Sequence, residues 1–252
     1  MNETRQRARR GAASGPGTEL VMGVLGGMGP EATVDFFAKV VRRTAAKNDR
    51  EHLRIIIDNN PKVPDRTAAI LAGGESPIRE LVRSARALEK AGADFIVIPC
   101  VTVHHFHAEL QSKTKLPVLH IVKETVRELR RRVPGISRVG LLATTGTIRA
   151  GLFHKALRRT PTQLIVPPDD VQRDKVMAAI YGIKSGGSGE GPRQLVRKAA
   201  EGLIAGGAEA IIAGCTEIPL VLGDGDLPVP VIDTLSALAE AAIRRAGGRT
   251  KD

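Results

Sequence analysis

The chain has 252 residues, of which 42% are hydrophobic and 2% aromatic, and its formal net charge is +11. This composition is typical of a globular protein, and no apolar run approaches the roughly 20 residues needed to cross a bilayer. The basic residues are spread over helical faces, and with so few aromatic side chains we do not expect a surface that binds nucleic acid by base stacking. Two cysteines in a chain of this size do not form a disulfide framework and fit a reducing, cytoplasmic location.

The first segment, residues 1–20, is polar, rich in Arg, Gly, Ala and Ser, and has no apolar stripe. Such a segment cannot bury a core, so we predict a disordered basic tail. Two alternatives are a contact with an acidic partner and a transit peptide, although the missing apolar face argues against the transit peptide.

From residue 21 onward, β-prone apolar runs alternate with helical patterns, as expected of an α/β fold with parallel sheets. In the first half, the predicted strands cover residues 21–25, 53–58, 95–98 and 116–121. The predicted helices of this half cover residues 31–46, 67–71, 76–91 and 123–133, and a further helical pattern starts after Cys100.

The second half repeats this order, starting with a strand over residues 138–142 that corresponds to the first strand. Further strands are predicted at residues 163–166, 211–212 and 227–232. Helices are predicted at residues 148–158, 170–182, 192–205 and 234–245. The last helix has no strand after it, so we expect it to pack back on the first half.

The clearest sign of a repeat is the pair of stretches AGADFIVIPC and GGAEAIIAGC. Ala93 corresponds to Ala208 and Cys100 to Cys215 at the same offset, and each cysteine ends a predicted strand. Two thiols at equivalent places in two halves suggest a pair that faces one pocket.

We predict two similar, doubly wound parallel-sheet domains related by a pseudo-twofold axis. The first covers residues 21–133 together with the terminal helix at 234–246, and the second covers residues 134–233. Ligands of open α/β sheets bind beyond the carboxyl ends of the strands. The active site is therefore expected in the cleft between the two domains.

The two cysteines suggest acid/base chemistry. A helix that starts after each cysteine should lower the pKa of the thiol from about 8.5. A thiolate and a thiol on opposite faces of a small substrate can remove one proton and supply another, which inverts a carbon centre without a metal or cofactor. The equivalent placement of Cys100 and Cys215 argues against two inert, buried cysteines.

Three loops at predicted strand ends carry candidate binding groups. The loop GGMGP contains Met28 and Gly29, and its backbone N–H groups could approach an anionic ligand. Its counterpart ATTGT contains Thr144, with hydroxyls in place of glycines. Arg66, in the sequence PDRT, suits bidentate binding of a carboxylate. A plain tight turn and a surface ion pair are the structural alternatives for these loops.

Polar side chains near the predicted thiols are further candidates. His104 could tune the Cys100 thiol or bind substrate, and Glu217 could orient a substrate amine near Cys215. Asn60 ends a strand that should face the cleft. Each of these residues could instead serve the fold, as a helix cap or a solvated side chain.

Three neighbouring histidines, His104, His105 and His107, resemble metal ligands at first sight. No carboxylate or thiol pattern completes a zinc site with them, so we predict no metal. Motifs for pyridoxal, flavin and nucleotide cofactors are missing from the sequence, and no cofactor is predicted either.

Five motifs occur in order between residues 21 and 245: GGMGPEAT, PDRTAAIL, PC-x-T-x-H, GCTEIP and a PV-I-D-T ending. Together they resemble the aspartate/glutamate racemase family. The resemblance implies two α/β domains with the site between them, usually in a homodimer. It also implies a cofactor-independent racemase of an acidic amino acid.

By this resemblance, Cys100 and Cys215 are the catalytic acid/base pair. The same resemblance gives substrate-binding roles to Thr102 and Thr216, for the α-carboxylate or amino group, and to Arg66 and Lys184, for carboxylates.

Val101 departs from the family pattern, which has an asparagine between the cysteine and the threonine, and Val103 stands where a small residue is common. Losing one hydrogen bond in a desolvated site costs on the order of 1–3 kcal/mol. Such a loss can alter substrate preference but leaves the thiols in place, so the substrate stays open.

Two alternative functions stay open as well. One is a related isomerase or decarboxylase that acts on another dicarboxylate. The other is a degenerate, non-catalytic member that binds an amino acid or uses its basic surface to bind nucleic acid. The presence of both cysteines favours racemisation over the first alternative, and Val101 is the feature that favours the second.

Overall fold

The structure is a computed structural model that describes residues 19–187 and 189–251. Residues 1–18, and with them most of the predicted basic tail, lie outside the described residues. Within the described ranges, no helix combines the length and the apolar character that a bilayer crossing requires.

The first half is built on three parallel strands, β1 (Met22–Gly26), β2 (Ile55–Asn59) and β3 (Phe95–Val97), in the order β2-β1-β3. Strands β1 and β3 are buried along their whole length, which explains their continuous apolar sequences. The helices of this half are α1 (Pro30–Arg43), α2 (Arg66–Leu71), α3 (Ile78–Ala91), α4 (His107–Lys113) and α5 (Ile121–Arg132), with 3-10 turns at Asp49–Glu51 and Thr102–Phe106.

The second half is built on four parallel strands in the order β5-β4-β6-β7. These strands are β4 (Arg138–Leu142), β5 (Gln163–Ile165), β6 (Ala210–Ala213) and β7 (Val231–Asp233). Its helices are α6 (Thr145–Arg149), α7 (Leu152–Leu157), α8 (Asp169–Val171), α9 (Ala178–Lys184), α10 (Glu190–Ala205) and α11 (Thr234–Arg245), with a π-helical segment at Gln172–Met177 and a 3-10 turn at Ile218–Leu220.

The two sheets share one topology. Strand β1 lies between β2 and β3, as β4 lies between β5 and β6. Val118 forms a single parallel bridge with Ile96 on β3, at the place that β7 takes beside β6. The predicted α/β class with two parallel-sheet domains is therefore confirmed.

The strand predicted at residues 116–121 is wrong in extent, because only this one bridge forms. Pro117 has no N–H to donate to the ladder, although its carbonyl accepts a hydrogen bond from Ile96. The chain then turns at His120, the N-cap residue of α5, which ends the extended stretch.

Two predicted helices differ from those in the structure. The helix expected over residues 148–158 is split into α6 and α7 at Gly151, whose φ of 66° lies in the left-handed region. Thr144 starts α6 early, since its Oγ1 accepts a hydrogen bond from the N–H of Thr147. The helix expected over residues 170–182 runs without a break from α8 through the π segment to Lys184 at the end of α9.

The last helix, α11, packs against α1 and α5 of the first half. An ion pair of 2.6 Å joins Arg43 on α1 to Glu240 on α11, and the N–H of Leu20 donates to the carbonyl of Ala246. The domain boundaries near residues 133 and 233 stay a prediction.

Candidate active site

A small, nearly closed cavity of about 10 Å³ lies where the loops after β1, β3, β4 and β6 meet. This volume corresponds to about one water molecule. Residues from both halves line the cavity: Met28, Asp65, Arg66, Thr67, Cys100, Val101, Thr102, Thr144, Lys184, Cys215, Thr216 and Glu217.

Both cysteines line this cavity. Cys100 follows β3 and Cys215 follows β6, and each side chain is buried and reduced. Because β3 and β6 hold equivalent positions in the two sheets, the repeat brings one thiol from each half to the same space.

Cys215 is hydrogen-bonded to a carboxylate. Its Sγ lies 2.9 Å from Oε2 of Glu217, which also accepts a bond of 3.2 Å from the hydroxyl of Thr216. Burial raises the pKa of the Cys215 thiol well above its usual value, and the negative charge of Glu217 adds to this effect. Cys215 is therefore a protonated thiol that donates to Glu217.

The expectation that a following helix lowers the pKa of each thiol is wrong for Cys215. The helix that follows it is a 3-10 turn of three residues, Ile218–Leu220. Burial and the adjacent carboxylate raise the pKa of the thiol instead.

Lys184 supplies a positive charge to the cavity. Its Nζ lies 4.0 Å from Oε1 of Glu217. Burial lowers the pKa of Lys184, but the charges of Glu217, Cys215 and Cys100 outweigh burial, and the net pKa is raised. Lys184 is thus a cation at neutral pH, and it lies in the last turn of α9.

Arg66 supplies the second positive charge, from the first residue of α2 rather than from a loop. Its Nη1 donates to the carbonyls of Val63 and Pro64, and its Nη2 donates to the carbonyl of Met28, at 3.2–3.3 Å. Its Nε is buried and has no hydrogen-bond partner. The guanidinium is therefore held in place by backbone carbonyls and keeps one buried donor unused.

Glu217 carries a matching unused acceptor, because its Oε1 is buried and has no hydrogen-bond partner. Such groups are rare in folded proteins, since an unsatisfied buried polar atom costs about 1–3 kcal/mol. Of the four unpaired buried side-chain atoms in the described part of the chain, Arg66 Nε and Glu217 Oε1 belong to residues that line this cavity. One is a cationic donor and the other an anionic acceptor.

Three threonine hydroxyls join the two halves beside the cavity. Thr102 Oγ1 lies 2.9 Å from Thr144 Oγ1 and 3.0 Å from Thr147 Oγ1, and these last two hydroxyls are 3.1 Å apart. Thr102 comes from the loop after β3 and the other two from the start of α6. The cluster fixes Thr102 and Thr144 and holds the two halves together at the site.

The glycine loop after β1 contributes Met28 to the cavity, but its backbone N–H groups are not all free for an anion. The N–H of Gly27 donates to the hydroxyl of Thr33 at 2.9 Å. Gly29 does not line the cavity, although a Cβ at this position would lie 3.4 Å from Glu217 Oε1. Met28 bonds Arg66 through its carbonyl, so this loop positions a cation.

Val101 lines the cavity next to Cys100 and is 2% exposed. Its other face packs in the main hydrophobic core. At the offset that relates the two cysteines, Val101 corresponds to Thr216, so one half offers methyl groups where the other offers a hydroxyl.

His104 and Asn60 lie outside the cavity. The Nε2 of His104 accepts a hydrogen bond from the N–H of Ile121, so its Nδ1–H donates to the carbonyl of Cys100 at 2.8 Å. Burial lowers the pKa of His104 to about 4, which keeps the ring neutral. The side chain of Asn60 donates to Glu80, at 3.4 Å, away from the site.

His104 and His107 use their ring nitrogens for hydrogen bonds to the backbone. His104 uses both ring nitrogens as described, and His107 Nε2 bonds the carbonyl of Val118 at 3.0 Å. Among the residues described, no group of three or more His, Cys, Asp and Glu side chains is arranged to hold a metal ion.

Sequence reasoning missed three residues of the site. Asp65 and Thr67 line the cavity on either side of Arg66, and Thr147 completes the hydroxyl cluster. Asp65 also caps α2 by accepting from the N–H of Ala68 at 2.7 Å. The PDRT and ATTGT loops contain all three residues, and a closer reading of those loops could have found them.

Comparison with known proteins matches nearly the whole chain. The profile of a family described as Asp/Glu/Hydantoin racemase matches residues 25–242. The broad specificity amino-acid racemase RacX of Bacillus subtilis is 29% identical over 229 residues, which cover 88% of this chain and 96% of that protein.

Solved structures with the same fold include two related to aspartate racemases. Picrophilus torridus aspartate racemase has a TM-score of 0.84 and 31% identity, covering 92% of this chain and 96% of its own. An aspartate racemase homologue from Pyrococcus horikoshii has a TM-score of 0.71 and 26% identity, covering 90% and 98%.

Proposed function

This chain belongs to the Asp/Glu/hydantoin racemase family, and from that premise we propose that it racemises an acidic amino acid with Cys100 and Cys215 as acid and base. Family membership makes it an isomerase of the racemase class. The substrate and the roles of individual residues are part of the proposal.

The observation that carries the proposal is the set of groups around one closed cavity. Besides two thiols, one from each half, the cavity has a cationic donor, Arg66 Nε, and an anionic acceptor, Glu217 Oε1, and neither of these two atoms has a hydrogen-bond partner. The carboxylate of an α-amino acid complements the donor, and its ammonium group complements the acceptor. An amino acid bound in this way would satisfy both buried atoms.

The proposed chemistry is a proton exchange at Cα. The thiolate of one cysteine removes the Cα proton, and the electron pair is left on a carbanion next to the carboxylate. The thiol of the other cysteine donates its proton to the opposite face. The product is the enantiomer, and the two cysteines have exchanged protonation states, so no metal or cofactor is needed.

Cys215 is suited to the acid role in the resting protein. Its raised pKa and its hydrogen bond to Glu217 favour the thiol form. Cys100 would then supply the thiolate, and the reverse reaction would start from the exchanged state. The cation at Lys184 favours whichever cysteine is ionised, since both thiolates attract its charge.

The two cations at the cavity, Arg66 and Lys184, favour a substrate with two carboxylates. Aspartate and glutamate carry two carboxylates and one ammonium group. Arg66 and Lys184 could hold one carboxylate each, while Glu217 receives the ammonium. The names of relatives point the same way only in part, because RacX is described as having broad specificity and the Picrophilus torridus enzyme as an aspartate racemase.

The test is a chiral assay of the purified protein over a panel of L- and D-amino acids. We expect aspartate or glutamate to approach a racemic mixture from either enantiomer. In deuterium oxide, the newly formed enantiomer should carry deuterium at Cα, because the donating thiol exchanges with solvent. A panel with no interconversion, or with loss of carbon dioxide instead, would reject racemisation.

Two further parts of the proposal concern the assembly and the compartment. The family resemblance suggests a homodimer, which light scattering of the purified chain tests directly. A cytoplasmic location agrees with the two reduced cysteines at the site.

A further inference from the structure

A second, open cavity of about 670 Å³ lies between the two halves, and His104 is one of its lining residues. We call it the histidine cavity. Its volume falls within the 300–1,000 Å³ that small-molecule sites usually have. Its polar wall includes His104, His107, His120, Lys123, Arg127 and Lys155.

The charge in the histidine cavity is positive. No Asp or Glu is among its lining residues, all of which are described. Arg127 is neutralised by Glu124, to which its Nη1 bonds at 2.7 and 2.8 Å. Lys155 donates to the carbonyl of Ala150 at 3.0 Å and keeps its charge. Among the described residues, no ion pair within 4.0 Å includes Lys123 or Lys155, both of which are exposed, so two cationic charges are left without a carboxylate partner.

The remainder of the wall is apolar or aromatic. Val122 and Val126 on α5 face Leu152 on α7, and the rings of His107 and His120 lie 4.6 Å apart. The N-cap His120 and the first-turn residues Val122 and Lys123 of α5 line the cavity, and His120 makes no side-chain capping bond to this helix of 12 residues. In this first turn the N–H groups of Ile121 and Lys123 are bonded to His104 and to the carbonyl of His120, which leaves the N–H of Val122 and the helix dipole to attract an anion.

From these features we propose that the histidine cavity binds a small organic phosphate, with the phosphate at Lys123, Lys155 and the start of α5. Two uncompensated cations and a helix N-terminus match a phosphate dianion. The apolar wall and the histidine rings match a ring of nucleoside size. A carboxylate carries one negative charge and would balance only one of the two lysine cations.

Occupancy of this site changes the racemisation rate, and this part rests on the proposed function. His104 lines the histidine cavity, and its two nitrogens connect Ile121, the first residue of α5, to the carbonyl of Cys100. A ligand that moves the first turn of α5 towards itself therefore also moves His104 and the backbone that carries the Cys100 thiol.

Calorimetry with adenosine monophosphate, adenosine and inorganic phosphate tests the binding. We expect the monophosphate to bind at least about ten-fold more tightly than adenosine, since the phosphate supplies the ionic contacts. The double variant Lys123→Gln, Lys155→Gln should lose this preference. The matched control Lys198→Gln changes an exposed lysine on α10 outside the cavity and should bind as the wild type does.

The variant Arg66→Lys shows whether the monophosphate binds at the active site instead of in the histidine cavity. If Arg66→Lys lowers the affinity for the monophosphate as much as the double variant does, the proposed site is wrong. It is also wrong if the double variant binds the monophosphate with wild-type affinity. Equal binding of adenosine and its monophosphate would also overturn it.

Initial racemisation rates with and without the monophosphate test the coupling. We expect a change of at least two-fold in the wild type, absent from the double variant, whose basal rate stays normal. Binding without any change of rate would overturn the coupling alone. The calorimetric result stands independently of racemase activity, so failure of the proposed function and failure of the site can be told apart.

Discussion

The thiol of Cys215 donates a 2.9 Å hydrogen bond to the carboxylate of Glu217, two residues further along the chain. This bond stabilises the protonated thiol, and the other carboxylate oxygen is left for a substrate ammonium group. The same side chain thus connects proton transfer to substrate binding.

Replacing either cysteine by alanine should lower racemisation by at least about 100-fold, the usual scale of a lost acid or base. Each change alone is enough, because every turnover needs both a base and an acid. Chiral chromatography gives the rates, and circular dichroism checks the fold. A single Cys100→Ala or Cys215→Ala variant with near wild-type activity would falsify the two-thiol mechanism.

Glu217→Gln should move the alkaline limb of the pH profile of kcat/KM to lower pH. The active enzyme needs one thiolate and one thiol, and activity falls at high pH when the second thiol ionises. The carboxylate raises the pKa of Cys215, so its removal lowers that pKa. The equilibrium constant of racemisation is unity, and the profile must therefore shift equally in both directions. If the alkaline limb of the variant stays at the pH of the wild type, Glu217 does not raise the pKa of Cys215.

Arg66→Ala should lower kcat/KM by roughly ten- to a hundred-fold, the worth of a charged hydrogen bond of about 1.5–3 kcal/mol. Arg66 also bonds three backbone carbonyls, so Arg66→Lys serves as a second variant that keeps the charge. Lys62→Ala, an exposed change in the preceding loop, is the control. Kinetics of Arg66→Ala equal to those of this control would remove Arg66 from the site.

Val101→Asn should raise kcat/KM for aspartate or glutamate by about ten-fold, the worth of one hydrogen bond of about 1.4 kcal/mol. If the valine instead selects a substrate with an apolar group, activity on that substrate should fall with the same change. A panel of amino acids assayed on both proteins separates these effects. An identical substrate profile would show that Val101 makes no contact that matters for selectivity.

Stability should fall as the pH drops from about 6.5 to about 4, because of His104. Its pKa is lowered to about 4 by burial, against 6.5 in the unfolded chain, so in this window the unfolded state binds the proton and the folded state does not. At pH 5 the loss relative to pH 8 should be about 2 kcal/mol from this residue.

Urea unfolding of wild type and His104→Asn at pH 8 and pH 5 measures this loss. We expect His104→Asn to show a smaller difference between the two pH values than the wild type does. His105→Asn, a change of an exposed neighbour, should keep the full difference. Equal differences in all three proteins would exclude His104 as the source.

Much of the fold follows from local sequence. Strand β4 covers the predicted residues 138–142, because a buried apolar run between a proline-glycine turn and a threonine cap has well-defined ends. The meeting of Cys100 and Cys215 in one cavity was also predictable, since the carboxyl ends of equivalent parallel strands face the same cleft.

What the sequence could not predict depends on contacts between distant segments. The direction of the Cys215 pKa shift requires knowing that the thiol is buried against Glu217, whereas the sequence suggests only a following helix. The histidine cavity likewise forms where α5 meets α7, and no local sequence pattern predicts a space between two helices.

The closed cavity around Cys100 and Cys215 also determines how these thiols meet reagents. Each is 5% exposed, and a space of about 10 Å³ cannot admit an alkylating agent. Modification must therefore wait for the cavity to open, and when reclosing is fast its rate is proportional to the fraction of open molecules. Slow-reacting and fast-reacting alkylating agents together would then measure how often, and for how long, the protein opens to exchange one amino acid for the next.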